Sequence, residues 1–318
     1  MSIINKKSIR RSFDPEAYIL QDGLRSAVEV ALALGQPLLL TGEPGTGKTL
    51  LAWKVAHELS QDPGSSFRAK PLVFNTKTTS TARDLFYTYD AVSHFQTANI
   101  KRQEGEAVPD TADFIELQAL GQAIASTDPQ AVEAGKIATE LPKQPESSVV
   151  LVDEIDKAPR DFTNDILNEI EEYAFRIKEQ DNYEIRAGEG QQIVLVMTSN
   201  SEKNLPDAFL RRCVFYHIPF PEPGLLLQIA QSQLGEGSRY TEEALKELIA
   251  AFRQFREQAV RKAPATAELI GWLRILELQN YMEQDADGQR ELMLQNLSVL
   301  VKTKEDLEAV RAFLGGNT

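Results

Sequence analysis

The 318-residue chain lacks the features that mark several classes of protein. Its single cysteine, Cys213, cannot form an intrachain disulfide, and we interpret it as a small apolar residue in a reducing compartment. No apolar run approaches the roughly 20 residues that a membrane helix needs, since residues 28–40 are interrupted by Glu29 and Pro37. We therefore expect a cytoplasmic protein without a membrane-spanning helix.

Basic residues are also in the minority. Lysine and arginine number 34 against 47 aspartates and glutamates, which gives a formal net charge of −13 and a pI near 4.9. Nucleic-acid-binding surfaces usually carry an excess of positive charge, so the composition disfavours nucleic acid as a partner. A basic stretch near the start, residues 6–11, runs into Asp14 with no apolar segment behind it. We interpret it as a solvated arm rather than an export signal.

The first two thirds of the chain alternate between short aliphatic runs and segments with helical periodicity. Leu51, Val55 and Leu59 form one stripe after Lys48, and residues 161–172 repeat the pattern, which predicts a helix in each segment. Strands and helices that alternate in this way are typical of an α/β fold with a parallel sheet flanked by helices. The predicted strands are residues 37–41, 71–76, 148–153, 192–199 and 214–220.

The last third of the chain contains no strand-like run. Its periodicity is helical, and the proline-rich stretch at residues 220–224 predicts a domain boundary. We expect an α/β domain over residues 1–221 and a small all-helical domain over residues 222–318. Residues 90–144 give no legible pattern. The predicted C-terminal helices are residues 225–234, 242–260, 267–282 and 289–300.

A phosphate-binding signature opens the first predicted helix. Residues 42–49 match the pattern G-x-x-x-x-G-K-[ST] directly after a predicted strand. The glycines let backbone N–H groups turn towards phosphate oxygens, Lys48 reaches the β- and γ-phosphates as a catalytic cation, and the Thr49 hydroxyl ligates Mg²⁺. The pattern predicts ATP and Mg²⁺ as cofactors. The predicted cofactor-binding residues are Gly42, Glu43, Pro44, Gly45, Thr46, Gly47, Lys48, Thr49, Leu50 and Asp153.

Two other predicted strands end in polar residues that suit hydrolysis. The apolar run 149–152 delivers Asp153 and Glu154 to the edge where the carboxyl ends of parallel strands meet. We expect Asp153 to hold Mg²⁺ through its water shell and Glu154 to act as general base on the attacking water. Asn200 follows the apolar run 194–197 and is expected to orient that water as a sensor. The alternative is an asparagine that caps a turn.

Together these motifs resemble the AAA+ ATPases and, within them, the MoxR family. The resemblance is carried by residues 42–49, 153–159, Asn200 and 205–212, and it runs over nearly the whole chain. It implies a P-loop AAA+ parallel sheet sandwiched by helices, followed by a small all-helical lid domain. It also implies hydrolysis of ATP by a homo-oligomer, a hexameric ring. That ring would work on a protein client with a separate partner that bears a von Willebrand factor A domain.

The chain departs from the family pattern at two places. A segment near the end of the family's α/β domain carries an arginine finger that reaches the ATP of a neighbouring subunit. The match places Arg212 at the finger, but Arg211 stands where aspartate is common, so either arginine can fill the role. The family also often has an arginine near the start of its third lid helix. This chain has Ala267 or Glu268 there, which removes the usual second sensor and leaves Arg274 as a candidate substitute.

Two further segments have two interpretations each. Residues 175–186 resemble the β-hairpin that precedes the sensor strand in MoxR-like and helicase-like members, and such a hairpin either faces the pore of a ring or covers the core. Residues 84–90, which include Phe86, Tyr87 and Tyr89, form an aromatic patch that is either core or a grip on a polypeptide client.

The leading functional hypothesis is a mechanochemical chaperone that remodels a protein client or assembles a metal-cofactor enzyme. A nucleic-acid motor is the first alternative, with Lys77, Arg83, Lys101 and Arg102 as its weak basis. A nucleotide-gated switch in a bacterial defence or signalling system is the second, although the residues for hydrolysis are intact. A small-molecule kinase is disfavoured because the predicted lid is a full helical domain.

Overall fold

The computed structural model describes residues 13–200, 205–259 and 261–315. The basic stretch at residues 6–11 and the last residue of the predicted helix 242–260 lie outside the described residues. Among the helices that are described, none is both long and apolar enough to cross a membrane.

The described part of the chain forms nine strands. They are β1 (Leu38–Gly42), β2 (Leu72–Asn75), β3 (Tyr87–Tyr89), β4 (Ile115–Leu117), β5 (Ser148–Asp153), β6 (Ala174–Ile177), β7 (Tyr183–Arg186), β8 (Ile193–Thr198) and β9 (Val214–Ile218). A central sheet of five strands runs in the order β2-β5-β8-β1-β9. The pairs β2–β5, β5–β8 and β8–β1 are parallel, so the predicted parallel sheet and its strands are confirmed.

Helices flank this sheet and make up the C-terminal region. Those among the described residues are α1 (Asp22–Leu34), α2 (Lys48–Gln61), α3 (Ala91–Glu104), α4 (Ala119–Thr127), α5 (Arg160–Asp165), α6 (Leu167–Glu172), α7 (Asp207–Leu210), α8 (Pro223–Leu234), α9 (Glu242–Gln258), α10 (Thr266–Leu278), α11 (Ala286–Gln295), α12 (Leu297–Leu300) and α13 (Lys304–Gly315). The α/β fold with a helical C-terminal region agrees with the predicted fold class.

The chain divides into two compact units. The described residues of the first unit are 13–20, 42–50, 218–259 and 261–315, and those of the second are 21–41, 51–200 and 205–217. The first unit therefore holds the predicted phosphate-binding loop together with the C-terminal helices. The boundary expected at residue 221 stays a prediction.

The aromatic patch at residues 84–90 belongs to the core of the second unit. Phe86 and Tyr87 are 3% and 2% exposed, and the Phe86 ring stacks on Phe175 with centroids 5.2 Å apart. The Tyr87 hydroxyl donates a hydrogen bond to Glu179 (2.9 Å), and burial raises the pKa of Tyr87. Of the two interpretations of this patch, the structure favours core over a grip on a client.

The region without a legible pattern, residues 90–144, contributes α3, β4 and α4. Gly121 of α4 lies so close to the preceding chain that a Cβ atom there would stand 1.9 Å from the Phe86 carbonyl oxygen. Only glycine fits this position, because that oxygen belongs to the backbone. The hairpin predicted within residues 175–186 forms from β6 and β7, which pair in antiparallel register.

Amphipathic helices build the core of the first unit. In α9, Leu245, Leu248, Phe252 and Phe255 follow helical spacing and are all buried. The Thr241 hydroxyl caps this helix by accepting a backbone hydrogen bond from its first turn (3.2 Å). The apolar stripe and the cap together explain why the helix begins where it does and which face it buries.

The single helix predicted over residues 161–172 is wrong in one respect. It is divided into α5 and α6 at Ile166, whose ψ of −7° departs from helical geometry. Phe162, Ile166 and Ile170 are nevertheless all buried in the same core, so the apolar spacing in the sequence looks continuous across the break.

Two C-terminal helices also end earlier than predicted. The helix predicted over 267–282 stops before Asn280, which adopts the left-handed conformation with φ of 55°. The helix predicted over 289–300 is divided at Asn296, whose side-chain amide donates to the Leu292 carbonyl oxygen (2.7 Å). The last helix, α13, was not predicted.

Candidate functional site

Backbone carbonyl oxygens of the loop between β1 and α2 bind the ammonium group of Lys48 at the end of the loop. Lys48, the first residue of α2, is 7% exposed, and its ammonium group donates to the carbonyl oxygens of Gly42 (2.8 Å) and Glu43 (2.9 Å). The Thr46 hydroxyl also donates to the Glu43 carbonyl oxygen (2.8 Å). These bonds hold residues 42–48 in a tight turn around one cation, at the start of a helix of 14 residues.

Glycine is required in this turn for conformational and steric reasons. Gly47 has φ of 91°, and a Cβ atom there would lie 3.2 Å from the ring of Tyr18. Gly45 has φ of 79°, and its Cβ would lie 3.1 Å from the Cβ of Ala265, directly before α10. The backbone of the loop is therefore free of side chains at these points, as a phosphate-binding turn requires.

A single arginine of the helical region reaches the acidic side chain of this loop. Arg256 of α9 donates through one nitrogen, Nη2, to both carboxylate oxygens of Glu43 (2.8 Å and 2.6 Å). Its other terminal nitrogen donates to the Pro264 carbonyl oxygen (2.6 Å), and its guanidinium lies over the Phe220 ring at 3.8 Å from the centroid. No local pattern indicated this contact, because 213 positions separate the two partners.

In the second unit, one threonine hydroxyl forms hydrogen bonds with both Asp153 and Glu154 at the end of β5. Thr198, the last residue of β8, donates to the Asp153 carboxylate (2.5 Å) and accepts the backbone N–H of Glu154 (2.9 Å). Thr198 is 1% exposed, so water does not compete for these bonds. Thr198 lies within the predicted strand 192–199, and the sequence analysis did not assign it a role.

Glu154 has an unusual backbone. Its φ of 56° and ψ of 49° lie in the left-handed region, which residues with a Cβ atom rarely occupy. The Asn200 side-chain amide reaches the Glu154 carboxylate at 3.5 Å, and the Asn200 N–H donates to Asp156 (3.2 Å). Glu154 also pairs with Lys157, and this hydrogen bond raises the pKa of Lys157. The structure thus brings the predicted base and sensor together.

The two candidate finger residues follow α7 and differ in their partners. Arg212 forms an ion pair with Glu171 and donates to the Ala208 carbonyl oxygen (3.1 Å), while its side chain stays 43% exposed. Arg211 is exposed, and no ion pair joins it to another described residue. Among the described residues of one chain, therefore, the Arg212 side chain has an ion-pair partner and the Arg211 side chain has none.

The residues considered for the second sensor have structural partners. Glu268 accepts the backbone N–H of Ala265 (3.1 Å) at the start of α10, and a Cβ on Gly45 would lie 3.4 Å from the Cβ of Ala267. Arg274 donates to the Gln233 carbonyl oxygen (2.9 Å). The start of α10 thus approaches the loop with Ala265, Ala267 and the Glu268 carboxylate, which would lie 3.6 Å from a Cβ on Gly45, and not with a cation.

The sequence also missed an exposed apolar stretch on α3. Val92, Phe95 and Ile100 are 67%, 70% and 56% exposed. Of the basic residues that supported a nucleic-acid motor, Lys101 and Arg102 lie in the last turn of the same helix, while Arg83 pairs with Glu179 (3.3 Å).

No group of three or more metal-ligating His, Cys, Asp or Glu side chains occurs among the residues that the structure describes. A magnesium ion bound with ATP does not need one, because it takes most of its ligands from phosphates and water and only one or two from protein oxygens. The Thr49 hydroxyl and the Asp153 carboxylate are of the right chemical type.

A match to a known protein family agrees with these observations. The sequence model of the AAA domain (dynein-related subfamily) matches residues 37–213, more than half of the chain. A solved variant of Thermotoga maritima RuvB is 16% identical, with a TM-score of 0.46 over 91% of this chain and 70% of that one. No curated protein matches the chain.

Proposed function

Because the chain belongs to the AAA domain family, in its dynein-related subfamily, we propose that it is a motor that hydrolyses ATP to ADP and phosphate. Domains of this family bind nucleotide, typically with Mg²⁺, and generally hydrolyse ATP. The observation that carries the proposal is the polar network at the carboxyl edge of the sheet, in which Thr198 holds Asp153 and Glu154 while Asn200 reaches the Glu154 carboxylate.

The phosphate-binding loop fits a triphosphate. Its glycines leave the backbone accessible at positions where a Cβ atom would be strained, and Lys48 is already placed against the loop by two carbonyl oxygens. We assign Lys48 to the β- and γ-phosphates, and Thr49 to the metal ion. The residues of loop 42–50 hold the nucleotide through backbone N–H groups at the positive end of α2.

The acids and the asparagine carry the chemistry in this proposal. Asp153 would hold Mg²⁺, and the bound ion would supply positive charge that neutralises the phosphate oxygens. Glu154 accepts a proton from the water that attacks the γ-phosphorus, as the bond from that phosphorus to the bridging oxygen breaks. Asn200 orients the same water, supported by its contact with the Glu154 carboxylate.

An arginine from a second copy of the chain completes the site in this proposal. We assign the finger to Arg212, as the MoxR resemblance implies, with Arg211 as the alternative. A trans-acting arginine contributes on the order of 10³-fold or more in rate because it compensates charge that develops on the γ-phosphate. Activity then depends on assembly into a homo-oligomeric ring, which we propose to be a hexamer.

The cellular role that we propose is that of a cytoplasmic MoxR-like chaperone. It would remodel a protein client or assemble a metal-cofactor enzyme, together with a separate partner that bears a von Willebrand factor A domain. The net charge of −13 supports a protein client over nucleic acid. Stimulation of ATP turnover by a protein encoded beside this one would support the role, and its absence for every such protein would count against it.

The proposed function is tested by ATP turnover measured against protein concentration. We expect the rate per subunit of the wild-type protein to rise steeply as the chains assemble. Glu154→Gln should abolish turnover because it removes the base, and Arg212→Ala should abolish it by removing the finger. Arg211→Ala removes the same charge from the neighbouring position and separates the two candidates. It should keep its activity if Arg212 is the finger and lose it if Arg211 is.

Mixing the two inactive variants gives the sharper result. An interface that combines the intact base of one subunit with the intact arginine of the other should regain part of the activity. A rate that does not change with concentration, together with an active Arg212→Ala variant, would refute the shared site. The nucleotide-gated switch would then replace the motor as the better proposal.

A further inference from the structure

A carboxylate in the phosphate-binding loop repels the phosphates that the loop is proposed to bind. Glu43 lies between Gly42 and Gly45, and its side chain is 50% exposed. ATP carries several negative charges, so an uncompensated carboxylate beside it opposes binding. Lys48 is not the ion-pair partner of this carboxylate, because its ammonium group bonds to the carbonyl oxygens of Gly42 and Glu43.

Arg256 supplies the missing charge with well-defined geometry. It contacts both carboxylate oxygens of Glu43, at 2.8 Å and 2.6 Å, and its side chain is only 17% exposed. The Pro264 carbonyl oxygen and the Phe220 ring hold the guanidinium from two other sides. Such a partly buried and fixed ion pair is stronger than a mobile pair on the surface.

We propose that Arg256 is a positioning residue for nucleotide binding, which acts by neutralising Glu43 and fixing its side chain away from the phosphates. The inference rests on the proposed function, since it presumes that ATP binds this loop. It assigns to the second helix of the C-terminal region a task that neither Ala267, Glu268 nor Arg274 performs in this structure. On this view Arg256 acts on the nucleotide through Glu43 and not by direct contact.

The test is a double-variant cycle on nucleotide affinity, read with a fluorescent N-methylanthraniloyl derivative of ATP. An uncompensated carboxylate acting over about 8 Å through an effective dielectric of about 30 weakens binding about tenfold for each unit of ligand charge. We therefore expect Arg256→Gln to bind the probe at least about tenfold more weakly than wild type. Glu43→Gln should bind at least as tightly as wild type, and the double variant should return to within about twofold of it.

Four outcomes would overturn the inference. If the double variant stays as weak as Arg256→Gln, the arginine contacts the phosphates itself. If Glu43→Gln binds the probe as weakly as Arg256→Gln does, the ion pair stabilises the structure of the loop and its effect on binding is not one of charge. If wild type does not bind the probe, the proposed function fails and the inference fails with it. Binding by wild type with additive single effects would refute the inference alone.

Two further variants separate charge from folding. Arg256→Lys keeps the charge but loses the forked geometry, and the charge mechanism expects it to retain most of the affinity. Arg239→Gln is the matched control, because Arg239 pairs with Glu283 (3.3 Å) in the same helical region and its loss changes the net charge equally. Its affinity should equal that of wild type. A thermal unfolding scan on each variant confirms that the comparison is between folded proteins.

Discussion

Replacing Thr198 with valine removes one hydroxyl and leaves a side chain of nearly the same volume. That hydroxyl donates to Asp153 at 2.5 Å and accepts the N–H of Glu154 at 2.9 Å, in a position that is 1% exposed. Losing a bond to a carboxylate and leaving a buried N–H without a partner costs about 3 kcal/mol of folding free energy. For a protein of 318 residues that corresponds to a fall in Tm of about 5 °C.

The effect on catalysis separates a positioning role from a merely structural one. In Thr198→Val the side chain cannot accept the N–H of Glu154, so the left-handed backbone of Glu154 loses this hydrogen bond. A shift of the base by about 1 Å lowers kcat about 100-fold. The KM for ATP should stay within about twofold of wild type, because the phosphate-binding loop is unchanged. Steady-state ATP turnover at a protein concentration that saturates assembly measures both constants.

Thr198→Ser is the matched control, because it keeps the hydroxyl and loses only a methyl group. It should retain at least a third of the wild-type kcat. The reasoning is refuted if Thr198→Val turns over ATP at the same rate as Thr198→Ser, since the two variants differ chiefly in the hydrogen bonds to the acids.

Three other predictions concern separate parts of the chain. Glu171→Gln frees Arg212 from its ion pair and should raise ATP turnover up to about fivefold, the range of an exposed pair; an unchanged rate would argue against a finger at Arg212. Burial raises the pKa of Cys213 to about 12, so its thiolate is scarce at pH 7.5 and iodoacetamide should alkylate it about 10³-fold more slowly than in urea, as followed by mass spectrometry. Rapid labelling of the native protein would contradict this. Gly121→Ala forces a Cβ against a carbonyl oxygen 1.9 Å away and should lower the free energy of unfolding by about 3 kcal/mol in urea titration, whereas Gly224→Ala, with open space around it, should not.

Local patterns in the sequence predicted the parts of the fold that depend on them. Strands such as β5 are runs of apolar residues bounded by polar ones, and they are legible because both faces of a parallel strand are buried. Helix α3 was missed because none of its described residues is buried. It therefore has no apolar stripe that faces a core. The break at Ile166 was missed because the apolar spacing continues across it.

The candidate site was predicted in its motifs but not in its contacts. The signature at residues 42–49 and the acids after β5 could be recognised because the chemistry constrains neighbouring positions. The bonds of Thr198 to Asp153 and Glu154 span 45 and 44 positions, and the bond of Arg256 to Glu43 spans 213. A single sequence carries no local trace of any of them. The ion pair between Arg212 and Glu171 was missed for the same reason.

The left-handed backbone of Glu154 has a consequence for how the protein responds to selection. At an ordinary helical position, glycine gives a lower free energy of unfolding than alanine. At φ of 56° the order reverses, so the free energy of unfolding of Glu154→Gly should be about 1 kcal/mol higher than that of Glu154→Ala. Directed evolution for heat tolerance alone would therefore enrich glycine at the position of the proposed base. A chain kept under demand for turnover has to retain glutamate there in spite of the strain.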